Sequence, residues 1–201
     1  MNLHALIHDP TSTIGKIGAA LDALSASERL EATRTLSRDD QRKLYNLAES
    51  APATLEDFVP KAASARAPIR HYGRNTLPLP GGLRLFEKRF CRPEQGDGRL
   101  FGYNEGSTRK LIGPGYFVAH DTSANTDWQK RGAIVVDYFM VPDGAVSDGW
   151  PKVVPNTQGL QMFVFKGTRD FMRKVSKHVT IGAAYKVEKP LDHYFVLCRE
   201  E

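Results

Sequence analysis

The chain has 201 residues, 41% of them hydrophobic and 25% charged, which is ordinary for a folded, water-soluble protein and excludes a collagen-like repeat or wholesale disorder. Two cysteines are too few to staple a chain of this length. The formal charge of +5, from 28 Lys and Arg against 23 Asp and Glu, permits contact with an anionic partner without requiring it.

Near the start, His4, His8, Asp9, Lys16 and Asp22 interrupt any apolar region of a signal peptide. No run in the chain approaches the ~18 apolar residues of a membrane span. Cys91 and Cys198 stand far apart, with no CxxC and no Cys/His ligand spacing. Free thiols in a reducing compartment, and so a soluble cytoplasmic protein, are the expectation.

The chain changes character near residue 66, which suggests a helical segment over 1–66 and an antiparallel β domain over 67–201. Of the 19 aromatic residues only Tyr45 and Phe58 come before that point. Residues 1–66 carry 8 basic and 9 acidic side chains and residues 67–201 carry 20 and 14, so the positive balance belongs to the second part.

In the first part Ile14, Ile17, Leu21 and Leu24 recur at spacings of three and four, which puts them on one helical face capped by Thr11 or Ser12. Ser25 with Glu28, and Ser37 with Asp40, have the spacing of a capping box, in which a side chain at each end satisfies the other's backbone N–H. Thr54 opens one more turn, ended at Pro60. Helices of two or three turns do not stand alone in water, so these must pack on each other or on the second part of the chain. Residues 61–70, small and polar with a proline, read as a linker or as a helical extension to Ala67.

The second part reads as strands at Leu83–Phe90, Leu100–Tyr103, Tyr116–Ala119, Ala133–Val141, Leu160–Phe165, 179–187 and His193–Cys198. In 179–187, Val179, Ile181, Ala183, Tyr185 and Val187 alternate with small or polar residues, the period of a strand with one covered face. Residues 168–177 fit either period, and the Phe-Met pair and charge spacing tilt them toward helix. With no long helices between strands, parallel crossovers are excluded. The expected fold is α+β: short N-terminal helices, then a strongly curved antiparallel sheet or barrel of about seven or eight strands, closure removing the exposed edges.

Several places carry chemistry, each with a structural alternative. The loop from Pro142 to Gly159 is long for a compact domain, and Trp150 either closes over a ligand or pins the loop to its own domain. His120 and Asp121 end a strand before a second polar loop, Ser123–Arg131, that carries Trp128. Neighbours on a strand point to opposite faces, so His120 needs another partner, Asp137 or His178, to act as a base, and otherwise is a hydrogen-bonded strand-end residue. The turn from Asn104 to Lys110 offers backbone N–H groups, hydroxyls, Arg109 and Lys110 to an anion, or is a plain hairpin. Lys166, Arg169, Arg173, Lys174 and Lys177 form a basic run that either tracks phosphates or is a solvated face. Arg89 and Arg92 beside Cys91 would lower its thiol pKa, unless the thiol is buried. His4 and His8 stand four residues apart but lie near the terminus and ahead of Pro10, the other histidines are scattered, and no metal or organic cofactor is expected.

Three functions compete. The first is a binding protein holding an apolar or amphiphilic anionic ligand inside the sheet, with Tyr138 on its wall, Trp128 and Trp150 at its mouth, and Arg109 and Lys110 on the anionic head. The second is a cofactor-independent hydrolase, isomerase or cyclase with His120 as base and Asp121 or Asp137 as its acidic partner, and His178 in reach. The third is an interaction module that docks a protein partner through the N-terminal helices.

Overall fold

Short helices wrap one side of a closed barrel in the computed structural model, which describes residues 1–201. The helices are α1 (Leu3–His8), α2 (Ile14–Asp22), α3 (Ala26–Arg34), α4 (Arg38–Leu47) and α5 (Leu55–Phe58). Their starts follow local side-chain chemistry. Asn2 caps α1 and Thr13, rather than Thr11 or Ser12, caps α2. Ser25/Glu28 and Ser37/Asp40 form the two capping boxes expected for α3 and α4.

Eight antiparallel strands then run up and down in chain order: β1 (Ile69–Asn75), β2 (Leu85–Cys91), β3 (Leu100–Glu105), β4 (Phe117–Asp121), β5 (Ile134–Asp137), β6 (Thr168–Lys174), β7 (Val179–Lys186) and β8 (Lys189–Arg199). β8 returns to pair with β1, from His71 opposite Arg199 to Asn75 opposite Phe195, so the barrel has no free edge. Between strands lie three single-turn or two-turn helices, α6 (Arg109–Ile112), α7 (Thr126–Arg131) and α8 (Gln161–Val164).

Three local readings are corrected. Residues 168–174 are strand β6, not helix: Asp170 and Met172 face the lumen while Phe171 and Arg173 face outward, so the strand period prevails once both faces have something to touch. Leu160–Phe165 forms helix α8, not a strand, with Phe163 72% exposed. A short apolar run fits either element, and here Gln161 anchors the turn by accepting from the Gly115 N–H (3.2 Å) and donating to the Pro155 carbonyl (2.8 Å). Strand β1 falls within and beyond the expected linker, because its lumen-facing residues include His71 and Gly73 rather than an apolar series.

Two cores sit on either side of the barrel wall. Outside, Val179, Ile181, Val196 and Cys198 of β7 and β8 pack under Ile7, Ile17, Leu21, Leu36 and Leu44 of the helices. The apolar face of the alternating segment 179–187 therefore points away from the lumen, and Thr180, Gly182 and Ala184 point into it. Arg173 ties this layer down: its buried guanidinium donates to the carbonyls of Tyr45 (2.9 Å), Arg131 (3.0 Å) and Lys130 (2.8 Å), capping the last turns of α4 and α7.

Inside, one end of the barrel is filled. Phe58 and Val59, at the end of α5, plug it against His71, Phe90, Leu100 and Leu197. Three more inward-facing phenylalanines each lie over a glycine on the adjacent strand: Phe86 opposite Gly73, Phe117 opposite Gly102, and Phe195 opposite Gly182. A Cβ at any of these glycines would stand 2.4–2.5 Å from the ring of its partner, so the bare backbone is what admits the rings.

Two outcomes test this packing. Gly18 lies where α2 crosses the carbonyl of Val175, and an added Cβ would stand 2.5 Å from that oxygen. Helix propensity alone would make Gly18→Ala stabilising by about 1 kcal/mol, whereas the contact makes it destabilising by about 1–3 kcal/mol; urea denaturation gives the sign. His71 donates from Nε2 to the Phe58 carbonyl (2.9 Å), and burial pushes its pKa from 6.5 down to about 3. Below pH 6.5 the unfolded chain takes up a proton there that the folded one refuses, so stability is full above pH 6.5 and falls as the solution is acidified. About 2 kcal/mol should be lost between pH 6.5 and 5, and His71→Gln should remove that part of the slope in denaturant melts.

Candidate functional site

The other half of the lumen is open. A cavity of about 470 Å³ lies at the end where β1, β3 and β7 finish, and its mouth is rimmed by Leu77, Leu79, Leu83, Ile112, Val164 and Leu191. Leu79, Leu83, Val164 and Leu191 are exposed despite being apolar. Phe86, Phe165 and Phe195 carry the apolar lining inward, and the floor is polar.

That floor is built by register. Lys88 on β2 stands directly opposite Asn104 on β3. Asp170 on β6 pairs with Val136 on β5, two residues before Tyr138. Strands β2 and β6 are four apart in a ring of eight, on opposite walls. Lys88 Nζ reaches across to Asp170 Oδ2 at 3.1 Å and donates also to Asn104 Oδ1 (3.0 Å) and to the Tyr138 hydroxyl. Its three N–H groups thus have three acceptors. Four aromatic rings surround the ammonium with centroids 4.9–5.9 Å away, those of Phe86, Phe117, Tyr138 and Phe195. Asn104 completes the cluster by donating to the Gly115 carbonyl (2.9 Å) and the Tyr138 hydroxyl (3.1 Å).

Lys88 and Asp170 are both buried. Burial pushes the Lys88 amine below its ordinary range, against the pull of Asp170, and pushes the Asp170 carboxyl above its own, against the pull of Lys88. Burial, with the Asp170 carboxylate beside it, holds the Tyr138 phenol well above its ordinary value. His193 also lines the cavity, and its buried Nδ1 has no hydrogen-bond partner.

Of the residues singled out from the sequence, Tyr138 and Arg109 line this cavity, Tyr138 on the floor and Arg109 at the mouth, where its guanidinium is bound to Glu105 (2.6 Å). Lys110 is the next residue of α6, exposed and outside the lining. His120 and Asp121 end β4 at the plugged end of the barrel. His120 Nδ1 bonds to the Asp121 carbonyl (2.8 Å), and the Asp121 carboxylate accepts from the Ser123 backbone N–H (2.9 Å). Asp137 is buried and taken by Arg169 (2.9 Å) and the Phe139 N–H (2.8 Å). His178, just before β7 and also at the plugged end, lies 3.6 Å from Glu201. The structure does not bring these four together, nor to the cavity.

Neither tryptophan stands at the mouth. Trp150 packs with Val146 on the outer wall over Cys91, Phe101 and Val118, its ring 4.9 Å from that of Tyr103. The loop from Pro142 to Gly159 is further pinned by Asn156, which donates to the Tyr116 (2.7 Å) and Tyr138 (2.9 Å) carbonyls. Trp128 lies on α7 outside β6, with the Arg169 guanidinium 4.4 Å from its ring. Arg169 is paired with Asp137 and Glu188, Arg173 with backbone carbonyls and Lys174 with Asp57, so this part of the basic run is committed within the chain. Cys91 and Cys198 are free and buried, and burial raises both thiols to about 11; the neighbouring cations do not prevail at Cys91.

Lys88, Asp170 and His193 were not singled out from the sequence, and Asn104 was named only as the start of the turn offered to an anion. A signal for Lys88 was present: Phe86, Lys88 and Phe90 share one face of a strand, so a lysine sits between two phenylalanines that face the core. The chain matches no family model, no curated protein and no solved structure. No helix is long and apolar enough to cross a membrane.

The buried pair generates a test. Lys88→Met leaves Asp170 buried beside no cation and should cost about 3–5 kcal/mol, whereas Lys88→Met with Asp170→Leu should recover most of that loss. Urea melts of the single and double variants read the difference.

Proposed function

We propose that the protein binds a small apolar or amphiphilic molecule in the open half of the barrel, its polar head resting on Lys88, Tyr138 and Asn104 and its apolar part against Phe86, Phe165 and the leucine-rich mouth. The observation that carries this reading is a cavity of about 470 Å³ that joins apolar walls to one convergent polar floor. That volume falls within the range of small-molecule sites.

The floor also selects the head group. Lys88 and Asp170 neutralise each other, so a carboxylate arriving alone would bring one uncompensated buried charge. An acid head fits once it carries a proton or Asp170 takes one, and the raised Asp170 pKa favours that. A carbonyl or hydroxyl head needs no proton.

A second reading rests on the same floor. A buried amine with a lowered pKa and a carboxyl with a raised one are proton carriers suited to moving a proton from one carbon of a bound carbonyl compound to another, with the neutral Tyr138 phenol as hydrogen-bond donor to the carbonyl oxygen. A cofactor-independent isomerase or cyclase would use Lys88, Asp170 and Tyr138 in the place the sequence reading gave to His120. The third reading, docking through the N-terminal helices, is disfavoured because their apolar side chains are spent on the barrel's outer wall.

Binding is tested by displacement of an apolar fluorescent reporter with medium-chain fatty acids, the matching aldehydes and sterols. At least one class should displace it and raise the melting temperature. Ala184→Phe, which fills the lumen, should weaken that ligand at least about tenfold, since overfilling a packed site costs about 1–3 kcal/mol, while Trp150→Ala on the outer wall should leave affinity unchanged. No displacement by any class would overturn the reading. Chromatography of the released ligand separates the two versions: unchanged for a carrier, converted to an isomer of the same mass for an enzyme.

A further inference from the structure

A second site lies outside the barrel, on the helical layer, and is independent of the cavity. His4 and His8 are four residues apart on α1, so their rings share one face of that helix, with centroids 4.6 Å apart. Asp40, in the first turn of α4, points between them. Its Oδ1 lies 2.6 Å from His4 Nδ1 and 2.9 Å from His8 Nε2. The three ligand-type atoms all lie within 4.8 Å of one another.

The carboxylate is held for this purpose by its other oxygen. Oδ2 accepts from the Ser37 backbone N–H (2.8 Å), one of the two bonds of the capping box, and also from the Ser37 hydroxyl (2.7 Å), which leaves Oδ1 alone to face the imidazoles. An outer partner that orients a ligating carboxylate is the usual support of a metal site. The Asp40 side chain is 3% exposed, whereas those of His4 and His8 are 65% and 38% exposed. The protein thus supplies a buried anchor on one side and leaves the other side to water.

We propose that His4, His8 and Asp40 bind a divalent transition-metal ion of the zinc, cobalt or nickel kind, with water completing its shell, and so clip α1 to α4. Two imidazoles and one carboxylate suit these ions and not magnesium or calcium, which take oxygen ligands. Bond lengths of about 2.0–2.1 Å place tetrahedral ligand atoms about 3.3 Å apart. Reaching that spacing requires the two histidine nitrogens to withdraw from Oδ1 by well under an ångström and to stand about 3.3 Å from each other, from a separation now no greater than 4.8 Å, movements within reach of exposed side chains. Each ring would coordinate through the lone pair of the nitrogen facing Asp40 and keep a proton on its other nitrogen.

The test is calorimetric titration of the untagged, chelator-treated full chain with zinc chloride, and in parallel with magnesium chloride. The expected result is saturable binding of one zinc ion per chain, a melting temperature that rises with zinc and falls back with chelator, and no response to magnesium. His4→Ala and His8→Ala should each weaken zinc binding at least about tenfold, since losing a ligand costs no less than losing its outer partner. Both positions are solvent-facing, and circular dichroism checks that each variant is folded; either one alone suffices. No saturable heat from the wild-type chain would overturn the site. So would zinc binding that survives both substitutions, which would move the ion elsewhere.

Discussion

The contact between Lys88 and Asp170 joins strands four apart in a ring of eight, and much of the barrel's interior is arranged around it. A lysine ammonium buried in a lumen is costly unless every proton finds an acceptor and the charge finds a counter-charge. Asn104 and Tyr138 supply the acceptors, Asp170 the charge, and four aromatic faces the remaining surroundings. The crossbar also divides the lumen. On one side the space is filled by Phe58, Phe90, His71 and their neighbours; on the other it stays open to the mouth. A site with an apolar wall and a polar floor is the direct outcome of placing one satisfied charge cluster halfway along a barrel.

The helices answer a different need. β7 and β8 present valine, isoleucine and cysteine on their outer faces, which would be exposed on a bare barrel. Short helices too weak to persist alone cover them, so each layer supplies what the other lacks. On the far side the same task falls to the loop carrying Trp150, which covers Cys91, Phe101 and Val118. Both tryptophans are therefore occupied outside the barrel wall, and the mouth is left to leucines, a valine and an isoleucine.

The parts legible from sequence are those set by local chemistry. Ser25 with Glu28 and Ser37 with Asp40 marked two helix starts because both halves of each box lie within one turn. The closed antiparallel barrel was legible too, from the strand count and the absence of crossover helices. Residues 168–174 were not, because a strand buried on both faces, with Asp170 inward and Arg173 outward, loses the one-sided pattern that identifies it. Lys88 and Asp170 escaped for a related reason. A charged side chain in a linear sequence looks solvated, and only the closure of the sheet brings two such residues from positions 82 residues apart to within 3.1 Å. His120, by contrast, stood out by its place at a strand end, and the topology put that end at the plugged side.

The three phenylalanines that rest on glycines carry a further consequence. Each ring occupies the volume a neighbour's side chain would otherwise claim, and each also forms part of the enclosure of Lys88. Neither member of such a couple can drift alone: a methyl group gained on one strand has to be repaid by a smaller side chain on the next, and that exchange would loosen the enclosure as well. A change at position 73, 102 or 182 is thus felt at 86, 117 or 195, and through those rings at a single amine.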